Sequence, residues 1–275
     1  MRHARCNLKL SFPVLLLIAC AGIVNGCGIM ANGRGWGQDA TLAPGWDRVK
    51  QAAWKAATAP ATWAPAAGAL AFQIDHADRK VEKWAARETP VFDSRENASR
   101  MSDNLLDASG VIWAISAVAT PSGDTAGDWS AAKAGGLGVQ TAGGILTRGT
   151  VGYLKKNMTR RRCNGNGNDS FPSAHASGAA MYATFTSRNI ETLGWSSGAV
   201  TASKISLGVM TAVTAWARVE GFQHYPTDVL AGVAIGHFFG AFITDAFMGM
   251  DNPRNAMVLI EPSREGAIAM IRFNF

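Results

Sequence analysis

The chain has 275 residues, is 48% hydrophobic and only 17% charged, contains 30 glycines and carries a net charge of +6. Charged residues fall below the ~25% of an average soluble domain, which excludes a disordered chain and points to a large buried core with a surface close to lipid. The positive balance suits anionic lipid, a phosphorylated substrate or a solvated basic face, but no zinc-finger spacing, RNA-binding aromatic motif or long basic helix accompanies it, so the sequence argues against a nucleic-acid partner.

The first nine residues, MRHARCNLK, are basic, and LSFPVLLLIA follows as an apolar run too short to span a bilayer comfortably. This is the order of a bacterial export signal. LIAC, ending at Cys20, resembles the lipobox at which bacterial lipoproteins are cleaved and acylated; VNGC, ending at Cys27, is a second candidate in which Asn25 fits less well. Residues 1–19 are therefore expected to be a signal peptide, with cleavage before Cys20 or Cys27 and a lipid anchor in the bacterial periplasm; plain export and an uncleaved anchor are the alternatives. The other cysteines are Cys6, which would leave with the signal, and Cys163, which could pair with Cys27 in an oxidising periplasm. No metal-type CxxC is present.

Residues 20–45 read as a tether or an ordered lead-in loop, rich in glycine and polar residues from Gly28 onward. From Trp46 the texture is helical, and 46–250 reads as one all-α domain. WDRVKQAAWKAA has apolar residues at helical spacing, Pro60 and Pro65 interrupt, and DRKVEKWAARE is a charged helix ending before Thr89-Pro90. SDNLLDASGVIWAISAVAT has a candidate cap at Ser102 or Asp103. AAKAGGLGVQTAGGILTRGTVGYLKK is dominated by small residues that let helices approach closely. PSAHASGAAMYATFTSRN, SKISLGVMTAVTAWARVEGF and YPTDVLAGVAIGHFFGAFITDAFMG complete the set. Apart from 229–249, which contains His237 and Asp245, the apolar runs stop at about 12–16 residues, short of the ~20 needed to span hydrocarbon. A soluble helical domain is expected rather than a membrane-spanning bundle, with His76 and His237 structural. Residues 251–275 read as a tail in which AMVLIE and AIAMIRFNF flank PSREG as a β-hairpin.

Three stretches carry chemistry. In RVEGFQHYPTDVLAG, Pro226 suits the first turn of a helix, where its missing N–H costs nothing. Asp228 then lies in that turn and can reach back to one nitrogen of His224, leaving the other free to attack. Arg218 offers a planar, permanently charged fork for phosphate oxygens. A hydrogen-bonded His–Asp pair without catalysis is the plain alternative. In FPSAHASGAA, Ser173 begins another helix, His175 shares its first turn, and the Ser173 and Ala174 N–H groups can face an oxyanion; a capped helix with an incidental histidine is the alternative. In KKNMTRRRC, Lys155 and Arg162 lie seven apart, on one side of a continuing helix; a solvated basic patch is the alternative.

Taken together, K-x6-R, PSxH and R-x5-H-x3-D in this order resemble the signature of the type 2 phosphatidic acid phosphatase superfamily, which also holds bacterial class A acid phosphatases and vanadium-dependent haloperoxidases. The resemblance implies an all-α bundle of that type. It implies that His224 is the nucleophile that becomes a phosphohistidine, that Asp228 orients it, and that His175 is the general acid. Lys155, Arg162, Ser173, Ala174 and Arg218 would bind the phosphate. No cofactor is implied, although vanadate or phosphate could occupy the pocket, and the three converging cations would repel a divalent metal. The substrate would be a phosphorylated lipid or a small phosphate ester, reached at a membrane surface through the anchor. A vanadate-dependent haloperoxidase and a non-catalytic envelope lipoprotein are the rival readings. Three positions depart from the family pattern: Cys163 stands where proline is usual, Ala174 where glycine is usual, and Ala217 where serine is frequent.

Overall fold

A computed structural model describes residues 28–30, 33–249, 257–263 and 266–272. Cys20, Cys27, the signal-like segment and the hairpin tip lie outside them. The described chain is built of eight α-helices: α1 (Trp46–Thr58), α2 (Pro60–Ala71), α3 (Ala77–Glu88), α4 (Arg95–Ala119), α5 (Ala126–Asn157), α6 (Ala174–Ile190), α7 (Ser197–Glu220) and α8 (Pro226–Ile243). A 3₁₀ turn, Ile74–His76, precedes α3, and a π-turn, Thr244–Met248, ends α8. Met257–Ser263 (β1) and Gly266–Arg272 (β2) pair antiparallel, with Met257 opposite Arg272.

Hydroxyl side chains set the helix starts by accepting an N–H that the first turn leaves unpaired. Ser94 accepts from Asn97 N, Thr125 from Asp128 N and Ser196 from Ala199 N, at 3.1, 3.1 and 3.3 Å. The first of these corrects the expected start at Ser102 or Asp103: α4 begins at Arg95, and both residues lie inside it. Its first two turns, RENASRM, are polar, so a start placed by apolar periodicity falls too late. For the same reason α4, α5 and α7 run to 25, 32 and 24 residues, beyond their apolar stretches. Ser197–Glu220 and Pro226–Met248 are long and apolar enough to cross a membrane, by length and composition.

Helix α8 is the hub, touching α1, α2, α3, α5, α6 and α7. Its glycines recur every fourth residue on the face toward α6. A Cβ on Gly232 would meet Ser173 O at 2.6 Å, one on Gly236 would meet Ser177 O at 2.1 Å, and one on Gly240 would meet Thr184 Cβ at 2.8 Å. Only hydrogen fits in that seam, so α6 and α8 lie in backbone contact and their N-termini meet at one end of the bundle. A core of Ala85, Ala176, Ala215, Val219 and Val229 packs beneath that end. A second core, including Trp36, Val139, Met181, Phe185 and Ile243, fills the other. Trp36, from the lead-in loop, is fully buried against Gly136, where a Cβ would stand 2.4 Å from the indole.

Candidate active site

Four chain segments meet where α6 and α8 begin. Lys155 lies in the last turn of α5, Arg218 in the last turn of α7, His175 in the first turn of α6 and Asp228 in the first turn of α8, with His224 in the connection before it. The Ser173 N–H donates to Asp228 O at 2.9 Å, and the His224 N–H to Arg218 O at 3.2 Å, so backbone bonds lock these segments together. The first bond corrects one expectation: the Ser173 N–H is already used. Ala174, at the first helical position, is exposed and keeps the N–H that a helix start leaves unpaired. Ser173 Oγ caps the same turn, accepting from Ala176 N at 3.4 Å.

Arg162 reaches the site by a different route from the one expected. Helix α5 stops at Asn157, so Lys155 and Arg162 do not share a helix. Just after Arg162 the chain doubles back through NGNGN, where Gly165 and Gly167 have φ of +80° and +104°, angles that favour glycine. Arg162 N donates to Gly167 O, and Arg160 N to Asn168 O, at 3.0 and 2.9 Å. The fold-back sets Arg162 against Asp169, a two-pronged bond at 2.7 and 2.9 Å. Lys155 Nζ also bonds Asp169, at its carbonyl oxygen.

His224 and Asp228 are buried, at 1% and 0% exposure. His224 Nδ1 lies 3.6 Å from Asp228 Oδ2, beyond hydrogen-bond reach. Burial pushes the His224 imidazole down to about 4, the Asp228 carboxylate opposes that, and Arg218 and Lys155 add to it. The ring is therefore neutral at pH 7. Asp228 is held by others: Arg160 Nη1 at 2.6 Å, Ser170 Oγ at 2.5 Å and Tyr225 N at 3.0 Å. Burial alone would raise its pKa, but the nearby His224 ring, the Ser170 hydrogen bond and the Arg160 charge outweigh it and keep the carboxyl ionised. Arg160 also bonds Asp78 and lies over the Tyr225 ring at 4.3 Å. Asp78 in turn accepts from Thr227 N at 2.8 Å.

His175 Nε2 lies 2.7 Å from Asp103 Oδ1, and Arg218 Nη1 lies 3.0 Å from Ser102 Oγ. Burial lowers the His175 pKa, as does Arg218, against a rise from Asp103. Burial brings Arg218 down to about 10 and lowers Lys155 as well. Among the described residues Cys163 has no disulfide partner, and burial pushes its thiol up to about 12, far from a reactive thiolate.

The structure thus brings Lys155, Arg162, Ser173, Ala174, His175, Arg218, His224 and Asp228 to one end of the bundle. Arg160, Ser170, Asp103 and Ser102 are there too and escaped the sequence reading. Arg160 could have been found in the RRR run, where spacing singled out Arg162 instead. Ser102 and Asp103 read locally as a helix cap, which hides their reach across the bundle. Among the described residues no cluster of three metal-ligating side chains occurs.

Residues 135–249 match the model of the PAP2 superfamily. No curated protein matches the chain. A solved structure, the crystal structure of the first transmembrane PAP2 type phosphatidylglycerolphosphate phosphatase from Bacillus subtilis, is similar at 20% identity over 67% of this chain and 92% of that one, with a TM-score of 0.46. The matched stretch contains every motif residue from Lys155 to Asp228, arranged around one buried imidazole, and over it this chain is similar to the PAP2 superfamily.

Proposed function

We propose that the protein is a metal-independent phosphatase acting on phosphate monoesters or diphosphates of lipid-linked substrates through a phosphohistidine at His224. The observation that carries this reading is a buried, neutral imidazole with a carboxylate behind it, the charges of Arg218 and Lys155 acting on it, and Arg162 acting on the neighbouring His175. Phosphoryl transfer needs charge stabilisation and in-line positioning more than elaborate chemistry. Asp228 faces Nδ1, so Nε2 is the attacking nitrogen. It bonds to phosphorus as the bond to the leaving oxygen breaks, and His175 gives that oxygen its proton. Water then attacks the phosphohistidine, returns a proton to His175 and frees phosphate. Arg218, Arg162 and Lys155, with the Ser173 hydroxyl and the Ala174 N–H, bind the phosphoryl oxygens. Three cations beside the two imidazoles would repel a divalent ion.

The lipid part has separate support. Trp46, Trp54, Trp63, Leu70, Ile74 and Trp84, all on or beside α1–α3, are exposed, and tryptophan favours the membrane–water interface. With the lipobox-like LIAC, they support a periplasmic protein acylated at Cys20, or at Cys27, and working at a membrane surface. Phosphate release from phosphatidate, phosphatidylglycerophosphate, polyprenyl diphosphate, lipid A and soluble esters, with and without chelator, tests the reading. Release from a lipid that survives chelator and is lost in His224→Ala supports it; release that needs a divalent metal contradicts it. Palmitate labelling lost in Cys20→Ser, or in Cys27→Ser, locates the anchor.

A further inference from the structure

Asp103 stands on α4, outside the stretch that matches the family model, yet its carboxylate reaches into the site. Its Oδ1 lies 2.7 Å from His175 Nε2 and 3.6 Å from Arg218 Nη1. Ser102 beside it accepts from the same Arg218 nitrogen at 3.0 Å. One turn of α4 therefore holds both the imidazole of α6 and the guanidinium of α7. We propose that Asp103 is the positioning residue of His175: it fixes the ring through Nε2 and keeps the proton that Nδ1 delivers to the leaving oxygen.

The proton ledger explains why a carboxylate is needed. A neutral imidazole that donates Nε2–H to Asp103 has no proton on Nδ1. The acid form is the imidazolium, with Nε2–H on Asp103 and Nδ1–H available. The charged groups facing His175 are Arg218 of α7, Arg162 of the α5–α6 loop and Asp103 of α4. Both arginines oppose the imidazolium, and so does the positive end of α6, in whose first turn it sits. Asp103 is the acidic group that favours it. After Nδ1–H passes to the leaving oxygen, the ring is neutral and still bonded to Asp103. The attacking water then restores the Nδ1 proton, and the cycle closes with no proton unaccounted for.

This inference rests on the phosphatase reading and has its own test. An alkyl phosphate must have its leaving oxygen protonated, whereas p-nitrophenyl phosphate departs as a stable anion. In the full-length protein, Asp103→Asn is expected to lower kcat/KM on the alkyl ester about 10²-fold, the scale of a lost general acid, and to lower kcat/KM on the nitrophenyl ester far less, because that quantity reports the first step and not the water attack common to both esters. The alkaline limb of kcat/KM on the alkyl ester should move to lower pH, and Asp103→Glu should restore part of the rate. An equal loss on both esters, with the limb unmoved, would overturn the proposal and leave Asp103 a mere anchor for Arg218. Failure of the wild type to hydrolyse either ester would instead remove the phosphatase reading beneath it.

Discussion

The two ends of the bundle both bury polar side chains, and they treat them differently. At the end remote from the site, roughly 20 Å along α6 from His175, the polar cluster is closed. Asn189 Oδ1 accepts from Trp36 Nε1 and Gln140 Nε2 at 3.1 and 3.0 Å, its Nδ2 donates to Ser116 Oγ at 3.0 Å, and Gln140 Oε1 accepts from Trp113 Nε1 at 2.6 Å. Buried Lys133 spends its protons on Ala117 O, Thr120 O and Thr120 Oγ1, each at 2.6 Å, and so seals the end of α4. At the site, His224 Nδ1 and Arg218 Nε are buried with no hydrogen-bond partner. Leaving such groups unsatisfied costs about 1–3 kcal/mol each. Other buried groups lack a hydrogen-bond partner too, Trp129 Nε1 and Thr186 Oγ1 among them, but only the pair at the site stands where, on the proposed function, a phosphate and a strengthening His224–Asp228 bond would complete the set.

The largest effect should separate the two ends cleanly. His224→Gln is expected to reduce phosphate release by at least ~10³-fold, the cost of losing a covalent nucleophile, while denaturant melting stays close to wild type, since glutamine is near histidine in size and leaves little of the cavity that alanine would open at this buried position. A clear loss of stability in that variant would place His224 among the structural groups. The converse is Trp36→Ala. Truncating a fully buried indole costs about 3–5 kcal/mol, which urea titration would read, and kcat/KM per folded molecule should stay unchanged. A matching fall in kcat/KM would show that the ends are coupled.

Acid should act on both properties through His224. Its folded pKa, about 4, lies below the ordinary 6.5, so the folded state binds fewer protons than the unfolded one between those values. The stability this group contributes is complete above pH 6.5 and is lost as pH falls toward 4. His237, also brought to about 4 by burial, adds a drop in the same window. Melting at stepped pH should show it, and His224→Gln should shrink it. For alkyl esters, kcat/KM should fall on the acid side as His224 gains a proton and on the alkaline side as His175, lowered from 6.5, loses one. The optimum is thus acidic.

The smallest effect concerns Asp169. It is half exposed and sits on Arg162, whose hydrogen bonds bring its carboxyl down to about 2. It bonds Arg162, and through its carbonyl Lys155, both of which the proposed function assigns to phosphate. Asp169→Asn should therefore strengthen inhibition by inorganic phosphate about fivefold at most, the scale of an exposed ion pair. Weaker inhibition would mean that Asp169 orients Arg162 rather than competing for it.

The sequence was most legible where a residue's role depends on its own neighbours. Pro226 and Asp228 announce the start of α8, and the small residues around His175 announce a close approach of backbones. The helical class follows from periodicity. What could not be read was pairing across the bundle. Nothing local tells that Ser102 and Asp103 face Arg218 and His175, which lie 116 and 72 positions further along the chain. Arg160 and Arg162 are two residues apart, and only the fold-back at NGNGN sends one to Asp228 and the other to Asp169. Glycines at 232, 236 and 240 are visible in the sequence, but the carbonyls and methyls they admit belong to another helix.

The most direct test of the central claim is to quench the enzyme at high pH during turnover of a phosphate ester and map the phosphoryl group by mass spectrometry. An acid-labile phosphoramidate on His224, formed within one turnover and absent from His224→Ala, is the predicted result. Sustained turnover with His224 unmodified, or with the label on His175, would contradict it.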